Sequence, residues 1–165
     1  MLPGGVRAAP SRVQQRELDR DETLLHEWLT ELPANSGVAI LRDDEHVTMR
    51  FSTAMVFDPD SSAPKSEARS VLPLGAALRL LKRRRVLSAQ ISVYTDSIGG
   101  ESANQSFSAA RAKALCALLT AQGIAAQRLQ QRGAGQNDAL SSNGTPEGRM
   151  ENRRVEITFT ATGGK

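Results

Sequence analysis

Two residues of this sequence are suited to hold an ion at one place. Asp96 closes a short β-like run, Ala89 to Thr95, and a Gly- and Ser-rich loop follows it. Arg111 then interrupts an apolar helical stripe, at i+4 from Phe107 and i−4 from Leu115. A guanidinium buried without a partner is costly. Either Arg111 reaches to the rim of its face with its stem along the apolar surface, or it borders a cleft and meets an anion. Asp96 is its obvious neighbour, because a helix returning across a sheet end passes the carboxyl ends of the strands, where ligands of α/β domains collect. The two side chains have two uses. They pair with each other, or they split, one taking the ammonium and the other the carboxylate of a zwitterionic ligand.

Little else in the sequence has the spacing for chemistry. The histidines, His26 and His46, lie in different elements and neither has metal-ligand neighbours at working spacing. No strained G-x-S-x-G turn or phosphate-cradling G-x-x-x-x-G-K occurs. Asp43, Asp44 and Glu45 read as an acidic hairpin turn, and "RGAGQND" reads as a turn. The single cysteine, Cys116, excludes an intrachain disulfide and a multi-cysteine metal site, and in an apolar helix it reads as a small buried hydrophobe. The expectation is a binding module without catalysis, cofactor or metal. The competing reading, a hydrolase, needs a general acid or a zinc site.

The elements that must position Asp96 and Arg111 follow from periodicity. Residues 16 to 32 have a partial helical stripe through Leu18, Leu24, Leu25, Trp28 and Leu29, ended by Pro33, Asn35, Ser36 and Gly37. The expectation is a tether outside the module; the alternative is that the stripe docks on the sheet or pairs with a second chain as a homodimer. Residues 38 to 41 and 46 to 51 make a hairpin around "RDDE". A helix is expected over 66 to 82, with Pro73 pointing to a later start. Residues 105 to 122 form the helix that carries Arg111, stopped by Gly123. Residues 128 to 133 form a short strand, 136 to 148 a long polar loop, and the alternation of Val155, Ile157 and Phe159 a final strand. The fold class is α/β, an α+β sandwich with a small mixed β-sheet and helices on one face. Residues 1 to 36 read as a lead-in and tether, 37 to 160 as the module, and 161 to 165 as a tail.

Composition sets wider limits. With 165 residues and 39% hydrophobic content, one domain can bury a core. A net charge of +3 is weak evidence for a polyanionic partner, and 4% aromatic content argues against a base-stacking surface. "LKRRR" at the end of the second helix reads as cations complementing a helix C-terminus, with a nucleic-acid patch as the alternative. No apolar run approaches the ~18 residues of a membrane span, and the first residues have no signal-peptide core. Composition leaves a cytoplasmic protein and a chain without its leader or anchor as equal options.

Two spaced blocks carry a resemblance. The first is Thr95, Asp96, Gly99, Asn104, Phe107, Ser108, Arg111 and Ala112. The second is Asn143, Thr145, Gly148, Arg149, Asn152, Arg153, Arg154, Val155 and Glu156. With Phe57 and Asp58 in "VFDPDSS", they resemble the OmpA-like peptidoglycan-binding domain shared by OmpA, Pal and MotB proteins. The likeness spans about residues 37 to 160. It departs from the family at Val93 and Tyr94, where Gly-His is usual before Thr95, at Ser97 in place of Asn, and at Ala139 near the place of a usual Pro.

The resemblance implies a βαβαβ core and binding of peptidoglycan through the meso-diaminopimelate of its stem peptide. Arg111 would take the carboxylate and Asp96 the ammonium of the free D-centre. Asn104 and nearby loop amides would orient the ligand, Phe57, Asp58 and Phe107 would wall the site, and Thr95 would belong to the same ligand-binding set. Arg154 would support the site from the last strand. Because alternation aims Arg154 away from the Val155 face, a structural ion pair is the other reading. The likeness further implies a Gram-negative periplasmic location, a membrane anchor outside this chain, and no nucleic-acid partner.

Overall fold

The protein is described here by a computed structural model covering residues 11–30, 32 and 36–161, with residue 69 as backbone only. The expected lead-in at 1 to 10 and the end of the expected tail, 162 to 165, lie outside the described residues. In chain order the elements are α1 (Arg12–Trp28), β1 (Ala39–Arg42), β2 (His46–Ser52), α2 (Leu72–Arg83), β3 (Leu87–Tyr94), α3 (Glu101–Ala121), β4 (Leu129–Gly135), α4 (Pro146–Asn152) and β5 (Arg154–Ala161). Short 3-10 turns at Thr53–Met55, Ala68–Ser70 and Ala126–Arg128 join them.

The strands form one mixed sheet in the order β1-β2-β5-β3-β4. Only β3 and β4 are parallel, with α3 as their crossover. Alternation sorts the two faces. Val47, Met49 and Phe51 of β2, Ala89, Ile91 and Val93 of β3, and Val155, Ile157 and Phe159 of β5 are buried under the helices in one core. The opposite face carries Thr48, Arg50, Gln90, Ser92, Arg154, Glu156 and Thr158. There the Thr48 and Thr158 hydroxyls lie 3.0 Å apart, and Arg50 Nε donates to Glu156 Oε1 at 2.9 Å. At the β1–β2 turn Asp43 Oδ1 accepts the Glu45 and His46 amides, so this carboxylate builds the hairpin.

Two elements differ from the sequence reading. The second helix starts at Leu72, not Ser66, because Val71 stays extended at its N-cap and Pro73 occupies the first turn, where its missing N–H costs nothing. The polar stretch 136 to 148 leads into an unexpected helix, α4, opened by Thr145, whose side chain accepts the Gly148 amide, and by Pro146.

The sequence reading assigns residues 1 to 36 to a lead-in and tether. In the structure α1 is docked, and its stripe is covered by its own chain. Leu18 and Leu25 are fully within the core, and Arg79 of α2 lies over the Trp28 ring at 5.1 Å. A Ser11–Gln14 capping box begins the helix. Arg42 at the end of β1 binds Asp19, and also donates to Glu22 Oε2 at 3.2 Å and to Gln15 Oε1 at 2.8 Å.

One contact in this dock is electrostatically poor. Asp21 is fully buried, and Arg84 Nε lies 3.0 Å from its Oδ1, yet neither group makes an aligned hydrogen bond. Burial therefore outweighs the attraction of Arg84 and, with the nearby Glu17 carboxylate adding to it, pushes the Asp21 carboxyl up to about 6. The folded state then holds this proton more tightly than the unfolded chain, where the carboxyl has its ordinary value of 3.8. Stability from Asp21 is present below about pH 4 and is lost as pH rises to about 6. Urea titrations across that window should show the wild type losing a few kcal/mol relative to Asp21→Asn, on the order expected from the shift. Parallel pH curves for the two proteins would refute this account of the α1 dock.

Candidate functional site

The end of β3 and the start of α3 make the floor of an open cleft of about 750 Å³. Its lining includes Thr95, Asp96, Asn104, Phe107, Arg111, Phe57, Asp58 and Arg153. A bulge prepares its edge: the β3–β4 register skips Ala134, pairing Val93 with Gly133 and Tyr94 with Gly135. Gly135 takes a left-handed φ of 56°, and its carbonyl accepts the Thr95 amide at 2.8 Å. This turns the chain so that Asp96 follows the strand into the cleft.

Arg111 is 4% exposed. Its Nε donates to the Ser61 carbonyl at 2.9 Å, and its Nη2 donates to the carbonyls of Asp58 and Pro59, both at 2.8 Å. The Phe107 and Phe57 rings lie 4.1 and 4.8 Å from its guanidinium carbon. Nη1 has no protein partner among the described residues. Burial holds the guanidinium below its ordinary pKa, with Asp60 opposing that shift, and it remains a cation at any physiological pH.

Asp96 and Arg111 do not pair. Asp96 Oδ1 accepts the Ile98 amide at 2.9 Å, and Oδ2 is bound by Arg153 Nη1 at 2.5 Å. The Thr95 hydroxyl and Asn104 Nδ2 both donate to the Asp96 carbonyl, at 2.8 and 3.0 Å. Thr95 and Asn104 thus fix the backbone that presents the carboxylate. Phe57 and Phe107 form the wall around Arg111. Asp58 contributes its carbonyl, while its side chain is exposed and 3.8 Å from Lys65.

The structure places Arg154 elsewhere. It lies on the other sheet face, with Nε donating to Glu156 at 2.9 Å and Nη2 to the Asp138 carbonyl at 2.9 Å. The guanidinium stacks 3.6 Å from the Tyr94 ring. Burial would raise the Glu156 pKa, but Arg154 and Arg50 overcome it and hold the carboxyl below the usual range. Arg154 is therefore a structural ion-pair partner. The cleft arginine of the "NRRVE" block is Arg153, which sequence reasoning missed. The signal was available: Arg153 shares the parity of Val155, and parity sends Arg154 away.

The second block is mostly scaffold. Asn152, fully buried, accepts the Leu140 and Ser141 amides and donates to the Ser141 carbonyl and to Asn143 Oδ1. Asn143 Oδ1 also takes the Ser97 amide at 3.2 Å, which ties this loop to the loop after Asp96. A Cβ on Gly148 would lie 2.0 Å from the Ser142 carbonyl oxygen. Among the described residues no group of three or more His, Cys, Asp or Glu is placed to hold a metal ion.

Comparison with known proteins agrees with this geometry. The model of the OmpA family matches residues 56–153. The chain belongs to the OmpA family. A probable lipoprotein of Escherichia coli K12, YiaD, is 33% identical over 125 residues, covering 76% of this chain and 56% of YiaD. The peptidoglycan-binding protein ArfA of Mycobacterium tuberculosis is 46% identical over 67 residues, 41% of this chain and 21% of ArfA. The chain therefore spans about half the length of one relative and a fifth of the other. A putative MotB-like protein from Desulfovibrio vulgaris has the same fold, with a TM-score of 0.77 at 23% identity over 91% of this chain and 99% of that structure.

The cleft's OmpA-family residues on α3 are held in place by contact with β4. Gln105 Nε2 donates to the Gly133 carbonyl at 2.6 Å, and the Ser108 hydroxyl accepts the Gly135 amide at 2.9 Å. A Cβ on Gly133 would lie 2.3 Å from the Ala109 backbone nitrogen, a clash no side-chain rotation relieves. Gly133→Ala should cost about 1–3 kcal/mol of stability by forcing α3 off the sheet. A melting temperature equal to wild type by calorimetry would show that the contact yields without cost.

Proposed function

We propose that this chain is a peptidoglycan-binding module of the Gram-negative cell envelope. It recognises the free D-centre of meso-diaminopimelate on the stem peptide and binds without turnover. It tethers a cell-envelope protein to the wall. The observation that carries the reading is the buried Arg111 guanidinium, fixed by three carbonyls, with one edge left toward a cleft that also holds Asp96. A cation and an anion held apart by separate protein partners suit a zwitterion, an amino group and a carboxylate on one carbon.

Each residue then has a role. Arg111 Nη1 takes the ligand carboxylate, and its low exposure makes that contact strong because little water competes. Asp96 takes the ammonium. Arg153, whose side chain is 45% exposed, neutralises Asp96 and shifts toward the ligand carboxylate as the ammonium arrives. Asn104 and Thr95 keep Asp96 in register. Phe57 and Phe107 exclude water from the aliphatic stem. The relative named as peptidoglycan-binding, ArfA, supports the class of ligand, and YiaD, named a lipoprotein, supports an envelope setting.

Retention on purified diaminopimelate-type sacculi tests the reading. Removing one partner of a desolvated contact costs about 2–5 kcal/mol, so Arg111→Ala and Asp96→Asn should each weaken retention by ~30-fold or more. Arg111→Lys should not restore it, because an ammonium cannot keep the carbonyl contacts and also present a planar edge. Arg111 also secures residues 58 to 61, so Asp96→Asn is the cleaner variant. If it stays folded and binds sacculi like wild type, the proposal fails.

Ligand choice gives a second check. A lysine-type stem lacks the carboxylate assigned to Arg111, and amidation neutralises it. Isothermal titration should show sharply weaker binding of both than of free diaminopimelate-type peptide. Matched affinities would make Arg111 purely structural.

A further inference from the structure

The pole opposite the cleft carries a second charged surface. α2 ends in Lys82 and Arg83, followed by Arg84 and Arg85. Arg84 turns inward to Asp21 and Glu17, at 3.0 and 3.4 Å. Lys82, Arg83 and Arg85 are exposed and form no ion pair among the described residues. Lys82 and Arg85 line a depression of about 560 Å³ with Arg128, Gly123, Ile124 and Ala125. Arg128 is pinned there: its Nε donates to the Leu87 carbonyl, and its Nη2 to the carbonyls of Leu81 and Arg84. Its Nη1 is not used by the protein among the described residues. Val86, 43% exposed, adds an apolar side chain beside the cluster.

Helix capping does not account for this charge. The C-termini of α2 and α3 meet at this pole, and each carries about half a negative charge. Together they offset roughly one of the four cations Lys82, Arg83, Arg85 and Arg128. Burial and the nearby Arg85 both hold the Arg128 guanidinium below its ordinary pKa. The surface has an excess of positive charge and a depression that admits a phosphate.

We infer that this pole is a seat for the phosphate headgroups of an anionic lipid surface, with Arg128, Arg85 and Lys82 around one phosphate and Arg83 beside them. The choice of lipid rests on the envelope setting proposed above, and the lining has no aromatic side chain on which a nucleic-acid base could stack. The layout fits. β3 begins at Leu87 beside the basic cluster and ends at the cleft, and α3 runs the other way. Eight strand residues separate the poles by about 26 Å. The module would face wall at one end and membrane at the other.

Cosedimentation with vesicles tests this, using phosphatidylglycerol mixed into phosphatidylcholine against phosphatidylcholine alone. The wild type should bind the anionic vesicles selectively and release as salt rises. Each cation near an anionic surface is worth about fivefold in affinity, so the triple variant Lys82→Gln, Arg83→Gln, Arg85→Gln should bind roughly a hundredfold more weakly. All three side chains are exposed, so the variant should fold, and it should keep wild-type retention on sacculi whenever the wild type is retained. The vesicle result is read whether or not sacculi bind. Equal vesicle binding by wild type and variant overturns the proposal. So does an absence of preference for phosphatidylglycerol, or duplex DNA binding as tight as vesicle binding.

Discussion

A guanidinium removed from water must find acceptors, and in this protein that requirement organises one end of the fold. Arg111 occupies a position in α3 where an apolar residue would suit the stripe. Its acceptors come from far away in sequence, the carbonyls of residues 58, 59 and 61. A loop with little regular structure is thereby held against a helix, and Phe57 is brought under the same cation. Leaving a buried donor of this kind unsatisfied costs several times what a typical hydrogen bond contributes. The loop, the wall and the open edge of the guanidinium are consequences of a single desolvated charge.

The sequence made the elements legible wherever periodicity was strong. β5 could be read from Val155, Ile157 and Phe159, and the helix bearing Arg111 from its stripe and Gly123. It was least legible where local chemistry competed with composition. α4 is hidden in a run of Asn, Gly and Ser, although Thr145 and Pro146 are a helix start. Docking of α1 could not be decided from a stripe, since an apolar face says only that something covers it; Leu18 and Leu25 found their cover within the chain. Among the site residues, Asp96, Asn104, Phe57, Phe107 and Arg111 converge on one cleft. The relation between Asp96 and Arg111 was open in the sequence and is settled by partners that spacing does not reveal, Arg153 for one and backbone carbonyls for the other.

The departures at Val93 and Tyr94 also have a physical explanation. Val93 points into the core and Tyr94 to the opposite face, where its ring is held between Arg154 and Arg132, at 3.6 and 5.8 Å. Its hydroxyl donates to Glu156 and accepts from Arg132. Burial, reinforced by the Glu156 charge, pushes its pKa up. The substitution therefore acts on the polar side of the sheet and leaves the cleft to Thr95 and Asp96. Cys116 is similarly remote: half-buried against the core, its thiol is pushed by burial up to about 11 and stays protonated.

The strand order has a consequence for how the molecule comes into being. β5 is the last strand in sequence and the middle one in space, inserted between β2 and β3 along seven-residue registers on both sides. Until residues 154 to 161 pair, β2 has no neighbouring strand on its far side from β1, and the β3–α3–β4 unit has an open edge. The two parts of the sheet are joined only when this segment pairs on both sides. Closing this sheet therefore depends on contacts between residues far apart in sequence, the kind of topology that forms slowly because loop closure precedes the pairing that rewards it.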